Sequence, residues 1–297
     1  VSDRPLIRHL VIIGTGLIGG SLALALRRAG AVGRVTGVGR SLPNLELARA
    51  RHIIDDLSRD AGEAVGDADM IVLAVPVGAY EQVLEGMVGS MRADAVLTDV
   101  GSTKQSAIDA VARSGLNASR FVPGHPIAGT ESSGAAAAFA ELFERRHCIL
   151  TPTPETDTDA LARVEAMWRL TGAHVLRMTA AEHDRIMAAV SHLPHLAAFA
   201  LVNAVREAGR GQATDPFDYA AGGFRDFTRI ASSSPEMWRD IALMNREPLL
   251  RELDRYRQCL DALGEAIERE DGEALLRAFA AAKQARDAWL KEHGGEA

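Results

Sequence analysis

Over the first part of the chain, apolar residues fall in short unbroken runs at 9–14, 34–38, 70–75, 95–100, 120–123, 148–151 and 174–177. Runs of that length, rich in Val and Ile, suit strands of a parallel sheet buried on both faces. Stretches with helical spacing separate them at 18–29, 44–51, 80–87, 104–113 and 159–170. The alternation predicts βαβ units. Near Met178 the pattern changes: strand-like runs stop, and Ala, Leu and charged residues recur at helical spacing. The chain is therefore expected to be an α/β doubly wound parallel sheet over 1–178 followed by an all-α domain over 179–297. In that second part Leu249, Leu253, Tyr256, Leu260, Leu263 and Ile267 repeat at spacings of three and four, and Leu275, Phe279, Ala282 and Trp289 give a second apolar face. These faces serve either as domain core or as a surface where two copies interleave helices.

The 297 residues are enough for two domains, and 47% hydrophobic with 25% charged residues is ordinary for a globular protein, which argues against disorder. No unbroken apolar run reaches the ~18 residues of a membrane span; the best, 196–202, stops at Asn203. With no leader pattern at the start, a cytoplasmic location without membrane association is expected. Cys148 and Cys259 form neither a disulfide framework nor a zinc pattern. A net charge of −7 argues against nucleic acid as partner and leaves room for a small anionic substrate held by a few arginines.

Candidate chemistry begins where Val11-Ile12-Ile13 runs into Gly14-Thr15-Gly16-Leu17-Ile18-Gly19. A glycine fingerprint that ends the first strand and opens a helix is a dinucleotide-binding turn. Gly14 permits the tight turn, Gly16 admits a pyrophosphate close to the backbone, and Gly19 lets helix and strand pack. Amides at the helix start, including those around Leu17 and Ile18, face the anion. At the end of the second strand, where an acid would hold the ribose 2′-hydroxyl of NAD, the chain reads Gly39-Arg40-Ser41. Arg40 either pairs with a 2′-phosphate or is a solvated surface residue. The first reading tilts the cofactor towards NADP, with NAD also acceptable.

Three further stretches carry polar groups that packing does not require: Asp99-Val100-Gly101-Ser102-Thr103-Lys104, Pro123-Gly124-His125-Pro126-Ile127-Ala128-Gly129-Thr130-Glu131, and, in the helical part, Ser191-His192-Leu193-Pro194-His195 with Gly222-Gly223-Phe224-Arg225-Asp226-Phe227-Thr228-Arg229. The first two follow strands, so they should border the ligand crevice. His192 and His195 lack further ligands at metal-site spacing, so no metal is expected.

From the glycine turn through GHPIAGTE and SHLPH to GGFRDFTRIA and Met237-Trp238-Arg239-Asp240, the chain resembles the prephenate/arogenate (cyclohexadienyl) dehydrogenase family of tyrosine biosynthesis. The resemblance implies a Rossmann domain followed by a helical dimerisation domain, hence a homodimer. It implies oxidative decarboxylation of prephenate or arogenate, with hydride passing to NADP or NAD. His125 matches the catalytic histidine that accepts from the substrate hydroxyl, a role suited to an imidazole neutral at pH 7. Ser102 matches a serine that steadies the hydroxyl or the histidine; its alternative is a cap on the helix opening near Lys104. Arg229 matches the arginine that grips a carboxylate, or else pairs with Asp226. Thr130, Glu131, Ser191, His195 and Gly222 match positions lining the substrate site. Pro194 either kinks a helix or starts one, which is expected to aim His195 into the cleft.

Two other classes were weighed. A β-hydroxyacid or imine-type dehydrogenase of similar build would need a lysine in the second domain as acid/base, and lysine is almost absent there before Lys283. A non-catalytic NADP sensor would keep the glycines but have no use for both His125 and Arg229.

Overall fold

A computed structural model describes residues 5–130 and 132–293. The first part contains β1 (Ile7–Ile13), α1 (Leu17–Arg28), β2 (Val32–Val38), α2 (Leu42–Ala50), β3 (Asp56–Ser58), α3 (Ala61–Val65), β4 (Met70–Leu73), α4 (Tyr80–Glu85), β5 (Val96–Asp99), α5 (Gln105–Ser114) and β6 (Phe121–Val122). Then come β7 (Gly124–Pro126), β8 (His147–Leu150), α6 (Thr158–Leu170) and β9 (His174–Arg177). Only helices follow: α7 (Ala180–Met187), α8 (Leu193–Ala208), α9 (Gly222–Thr228), α10 (Pro235–Met244), α11 (Arg246–Glu268) and α12 (Gly272–His293), with a π-helical turn over Ala188–His192.

Six parallel strands pair in the order β3-β2-β1-β4-β5-β6, the doubly wound arrangement. Alternation along β1 distributes its side chains. Leu10 and Ile12 join α1 (Leu22, Leu26) and Trp168 of α6 on one face, while Val11 and Ile13 join Tyr80, Leu84, Ala107 and Val111 of α4 and α5 on the other. Both faces are covered, which is why the strands read as unbroken apolar runs. The strand order reverses between β1 and β4, and the crevice at their carboxyl ends is where such a sheet binds ligands.

The sequence reading placed 148–151 and 174–177 with the main sheet. They instead form a second, three-stranded sheet, β7-β8-β9, in which β7 and β8 are antiparallel. Gly124-His125-Pro126 reads as a loop, yet Ile127 N–H reaches His147 O (2.7 Å) and Thr151 N–H reaches Pro123 O (3.0 Å), prolonging the ladder at both ends. Pro126 is tolerated because β7 is an edge strand.

Two compact units divide the chain, Val1–Arg246 and Glu247–Ala297, so α7 to α10 belong to the sheet-bearing unit. The helical run Ala180–Ala208 is long and apolar enough to cross a membrane by length and composition alone. Counting only unbroken apolar residues misses it, because an averaged window tolerates interruptions. The same run carries buried His183, Asp184 and His192. In the second unit, Leu260, Ile267, Leu276, Phe279 and Trp289 are exposed, so a core within a single copy does not account for the apolar faces of α11 and α12.

The three fingerprint glycines answer to three constraints. Gly14 has φ +105°, and a side chain there would also strike Ala74 O. A Cβ on Gly19 would lie 2.2 Å from Gly14 O and 2.7 Å from Ile12 Cγ2, whereas one on Gly16 would meet nothing within 4 Å. Gly19→Ala should therefore cost about 1–3 kcal/mol in urea unfolding, and Gly16→Ala little, since a helix start tolerates alanine there. Equal losses for the two variants would contradict this account.

Candidate active site

The crevice opens into a chamber of about 430 Å³ bordered by Gly16, Leu17 and Ile18 of the glycine turn, Val100 to Ser102 after β5, His125 and Pro126 of β7, and Ser234, Met237 and Asp240 near α10. Thr130 also lines it. Among the described residues that line it, Asp240 is the one charged side chain, and Arg239 pairs with it at 2.7 Å. Glycine at position 16 is not demanded by packing, and α1 opens on it without a side-chain cap. Bare amides and open space in front of them fit a pyrophosphate.

His125 is held by an arrangement the sequence reading missed. Its Nδ1 lies 2.8 Å from His183 Nε2, and His183 Nδ1 lies 2.8 Å from Asp184 Oδ1. The carboxylate can only accept, so His183 donates from Nδ1 and accepts at Nε2. His125 then donates from Nδ1, which leaves a lone pair on its Nε2. Burial keeps the His125 imidazole well below its ordinary pKa, reinforced by His183, Lys104 and His192. Burial lowers His183 as well, against the Asp184 carboxylate. Asp184 itself is lowered: burial opposes this, but His183 and the amides of Lys104 and Gln105 (2.8 and 2.9 Å) more than offset it. Those amides open α5, so Asp184 caps that helix and Ser102 does not. Ser102 is half-buried on the chamber wall. A signal for the pair was present in the adjacent His183-Asp184 on the buried face of an otherwise ordinary helix, α7.

Several expected site residues lie elsewhere. His195 does not point into the chamber: Nδ1 donates to Ser191 O (2.9 Å), and the ring stacks on Trp238 at 3.5 Å between centroids. Pro194 sits in the first turn of α8 and the π-helical turn precedes it, so the helix continues instead of kinking towards the cleft. Trp238 is buried among His192 and His195 as core. Ser191 is half-buried and Gly222 opens α9, both outside the chamber lining. Arg229 is exposed at the start of a short 3-10 turn and does not line the chamber with His125; Thr228 is the residue of α9 that turns inward. Asp226 lies 3.9 Å from Arg225. Glu131 lies outside the described residues. At the tip of β2, Ser41 caps α2 by accepting from Asn44 N–H (3.4 Å), Arg40 is exposed, and Gly39 has Leu45 as its neighbour.

A doubly wound sheet with a ligand-ready glycine turn, facing a histidine whose free nitrogen is a lone pair, is the build of a dinucleotide-dependent dehydrogenase. Family comparison narrows it. Residues 22–177 match the prephenate dehydrogenase nucleotide-binding domain and 179–281 the prephenate dehydrogenase dimerization domain; the chain belongs to the prephenate dehydrogenase family. It is 38% identical over 286 residues to a cyclohexadienyl dehydrogenase of Zymomonas mobilis, covering 96% of this chain and 97% of that one. Among solved structures it resembles prephenate dehydrogenase from A. aeolicus in complex with hydroxyphenyl propionate and NAD+ (TM-score 0.88, 36% identity, 95% and 98% of the two chains). It also resembles Synechocystis arogenate dehydrogenase (TM-score 0.78, 31% identity, 95% and 99%).

The histidines around the site make a stability prediction. His192, buried and accepting from Asn245 Nδ2 at Nδ1 (3.0 Å), is lowered to about 4, chiefly by burial. Its folded form therefore binds a proton less readily than the unfolded chain. Its contribution to stability is whole above the unfolded value of ~6.5 and is lost as pH falls towards 4. Melting temperature should fall across that window, and His192→Gln, though less stable at pH 7, should fall less steeply. Parallel curves would refute the assignment.

Proposed function

We propose that this protein oxidatively decarboxylates prephenate, arogenate or both, with His125 as base. The observation that carries the reading is the oriented His125–His183–Asp184 chain, which presents an unprotonated Nε2 to the chamber. The cofactor, when bound, accepts hydride from the ring carbon bearing the substrate hydroxyl. His125 Nε2 accepts the hydrogen bond from that hydroxyl and draws on its proton as hydride departs. As the ring becomes aromatic, the bond to the ring carboxylate breaks, its electrons stay in the ring and carbon dioxide leaves. The proton stays with, or returns to, the phenol oxygen. Ser102, on the same wall, steadies that oxygen, and Thr130 borders the mouth. Gly14, Gly16 and Gly19 with the amides of Leu17 and Ile18 hold the pyrophosphate.

On the resemblance alone, Arg229, Glu131, Ser191, His195 and Gly222 are assigned to the substrate side, and Arg229 to a carboxylate. NADP is favoured over NAD because no acid stands at Gly39 and Arg40 is free to face a 2′-phosphate; Ser41, spent on its helix cap, contributes less. We place the functional division at 178/179, where the two family domains meet, and assign the exposed apolar faces of α11 and α12 to a homodimer contact in a cytoplasmic enzyme.

His125→Asn should bind cofactor normally and lose ~10²–10⁴-fold in turnover with prephenate, followed at 340 nm. Near-normal turnover removes the assignment. In the wild type kcat/KM should hold steady from pH 8 to 6.5 and fall only well below that, because the protonated imidazole cannot accept. For Arg229→Lys a raised substrate KM with an unchanged cofactor KM is expected; two unchanged constants would reject the carboxylate role. Kinetics with NAD+ and NADP+ in parallel test the cofactor reading, and a strong preference for NAD+ overturns it.

A further inference from the structure

Beneath His125 lies a charged pair with no part in the steps above. The side chains of Asp99, at the end of β5, and Lys104, just before α5, are both fully buried and meet at 2.5 Å. They grip Gly124, the residue before the histidine, from both sides. Asp99 Oδ1 accepts from Gly124 N–H (2.9 Å), and Lys104 Nζ donates to Gly124 O (2.6 Å). Asp99 Oδ2 is itself held by Tyr80 Oη–H and Gly101 N–H, each at 2.9 Å. A side chain at Gly124 would lie 2.9 Å from Asp99 O, so the approach leaves no slack. The Lys104 amide, in turn, donates to the same Asp184 oxygen that accepts from His183. The backbone and the ring of His125 are thus both anchored through Lys104.

Stability does not explain such a pair. An apolar pair of similar volume typically serves a core as well or better, since both charges lose their hydration.

We propose that Asp99 and Lys104 are positioning residues for His125: the pair clamps the Gly124 backbone so that the imidazole faces the chamber. The groups facing His125 are Lys104 and Asp99 from the β5–α5 link, His183 and Asp184 from α7, His192 from the π-helical turn, and the Cys148 thiol from β8. Of these, His183, Lys104 and His192 disfavour imidazolium, after burial itself. Burial lowers the Lys104 pKa as well, and Asp99 beside it opposes that shift.

The inference rests on His125 acting as base, so its test reads the imidazole without substrate. In the free protein, NMR titration of the His125 ring should move to higher pH by ~1 unit in Lys104→Met. Turnover should fall about 10–100-fold while cofactor KM stays within about twofold, because a small misplacement of the base affects chemistry more than binding. The acid limb of the pH–rate profile should move with the titration. If the lone Asp99 carboxylate prevents folding, the Asp99→Asn/Lys104→Met double variant keeps the shape without a bare charge, and an upward move in the same direction but smaller is expected, since both charges of the pair are gone. An unmoved titration overturns the proposal, whether turnover is lost or kept. An active His125→Asn would remove the base assignment, and the titration would still decide whether the pair acts on the ring.

Discussion

One carboxylate joins the two halves of the site. Asp184 sits on the first helix after the sheets, yet its oxygens cap α5 of the doubly wound part and orient His183, while its own carbonyl accepts from Asn245 Nδ2 (2.8 Å). His183, Lys104 and Asn245 among its partners are buried, and a buried donor left without its partner costs ~1–3 kcal/mol. Loss of this one side chain would strip the cap from α5, free His183 to turn, and with it undo the tautomer that leaves His125 Nε2 bare. Helix packing, helix start and base orientation are therefore one problem with one solution, and the same group explains why α7 belongs with the sheet-bearing unit.

What the sequence made legible follows from how local each constraint is. The strands of the main sheet and the helices between them show in runs of a few residues, and the glycine turn shows because Gly14 and Gly19 answer to atoms of β1, of the turn and of Ala74. His125 and Ser102 were found through their loops, which follow strands. His183 and Asp184 were not, since their partners lie 58 and 80 positions away and an adjacent His-Asp on a helix face does not name the groups it will meet. Lys104 carries no mark of its own, because the sequence does not distinguish a buried lysine from a solvated one. β7 was missed because Gly-His-Pro carries turn chemistry, and only its pairing with β8 makes it a strand.

A polar residue in a shared motif need not line the chamber of a single copy. His195 spends its donor on Ser191 O and its face on Trp238, so α8 keeps it as packing. Arg229 is placed by α9, whose one buried residue, Thr228, bonds back to Phe224 O (2.7 Å) and turns the next position outward. Among the described residues no lysine or arginine lines the chamber.

Electrostatics gives this chamber a consistent sense. Oxidised nicotinamide is a cation that hydride transfer neutralises, so surrounding positive charge would work against its binding in that form. His125, His183, His192 and His195 are all pushed towards the neutral state, burial being the first cause each time. The nearby ammonium, Lys104, is matched by Asp99, and Asp240 supplies the lining charge of the opposite sign. The burial that costs the protein stability in acid is thus the condition that leaves the chamber imidazole without a proton. A more solvated imidazole would titrate near ~6.5 and lose part of its acceptor function within the neutral range; the buried one does not.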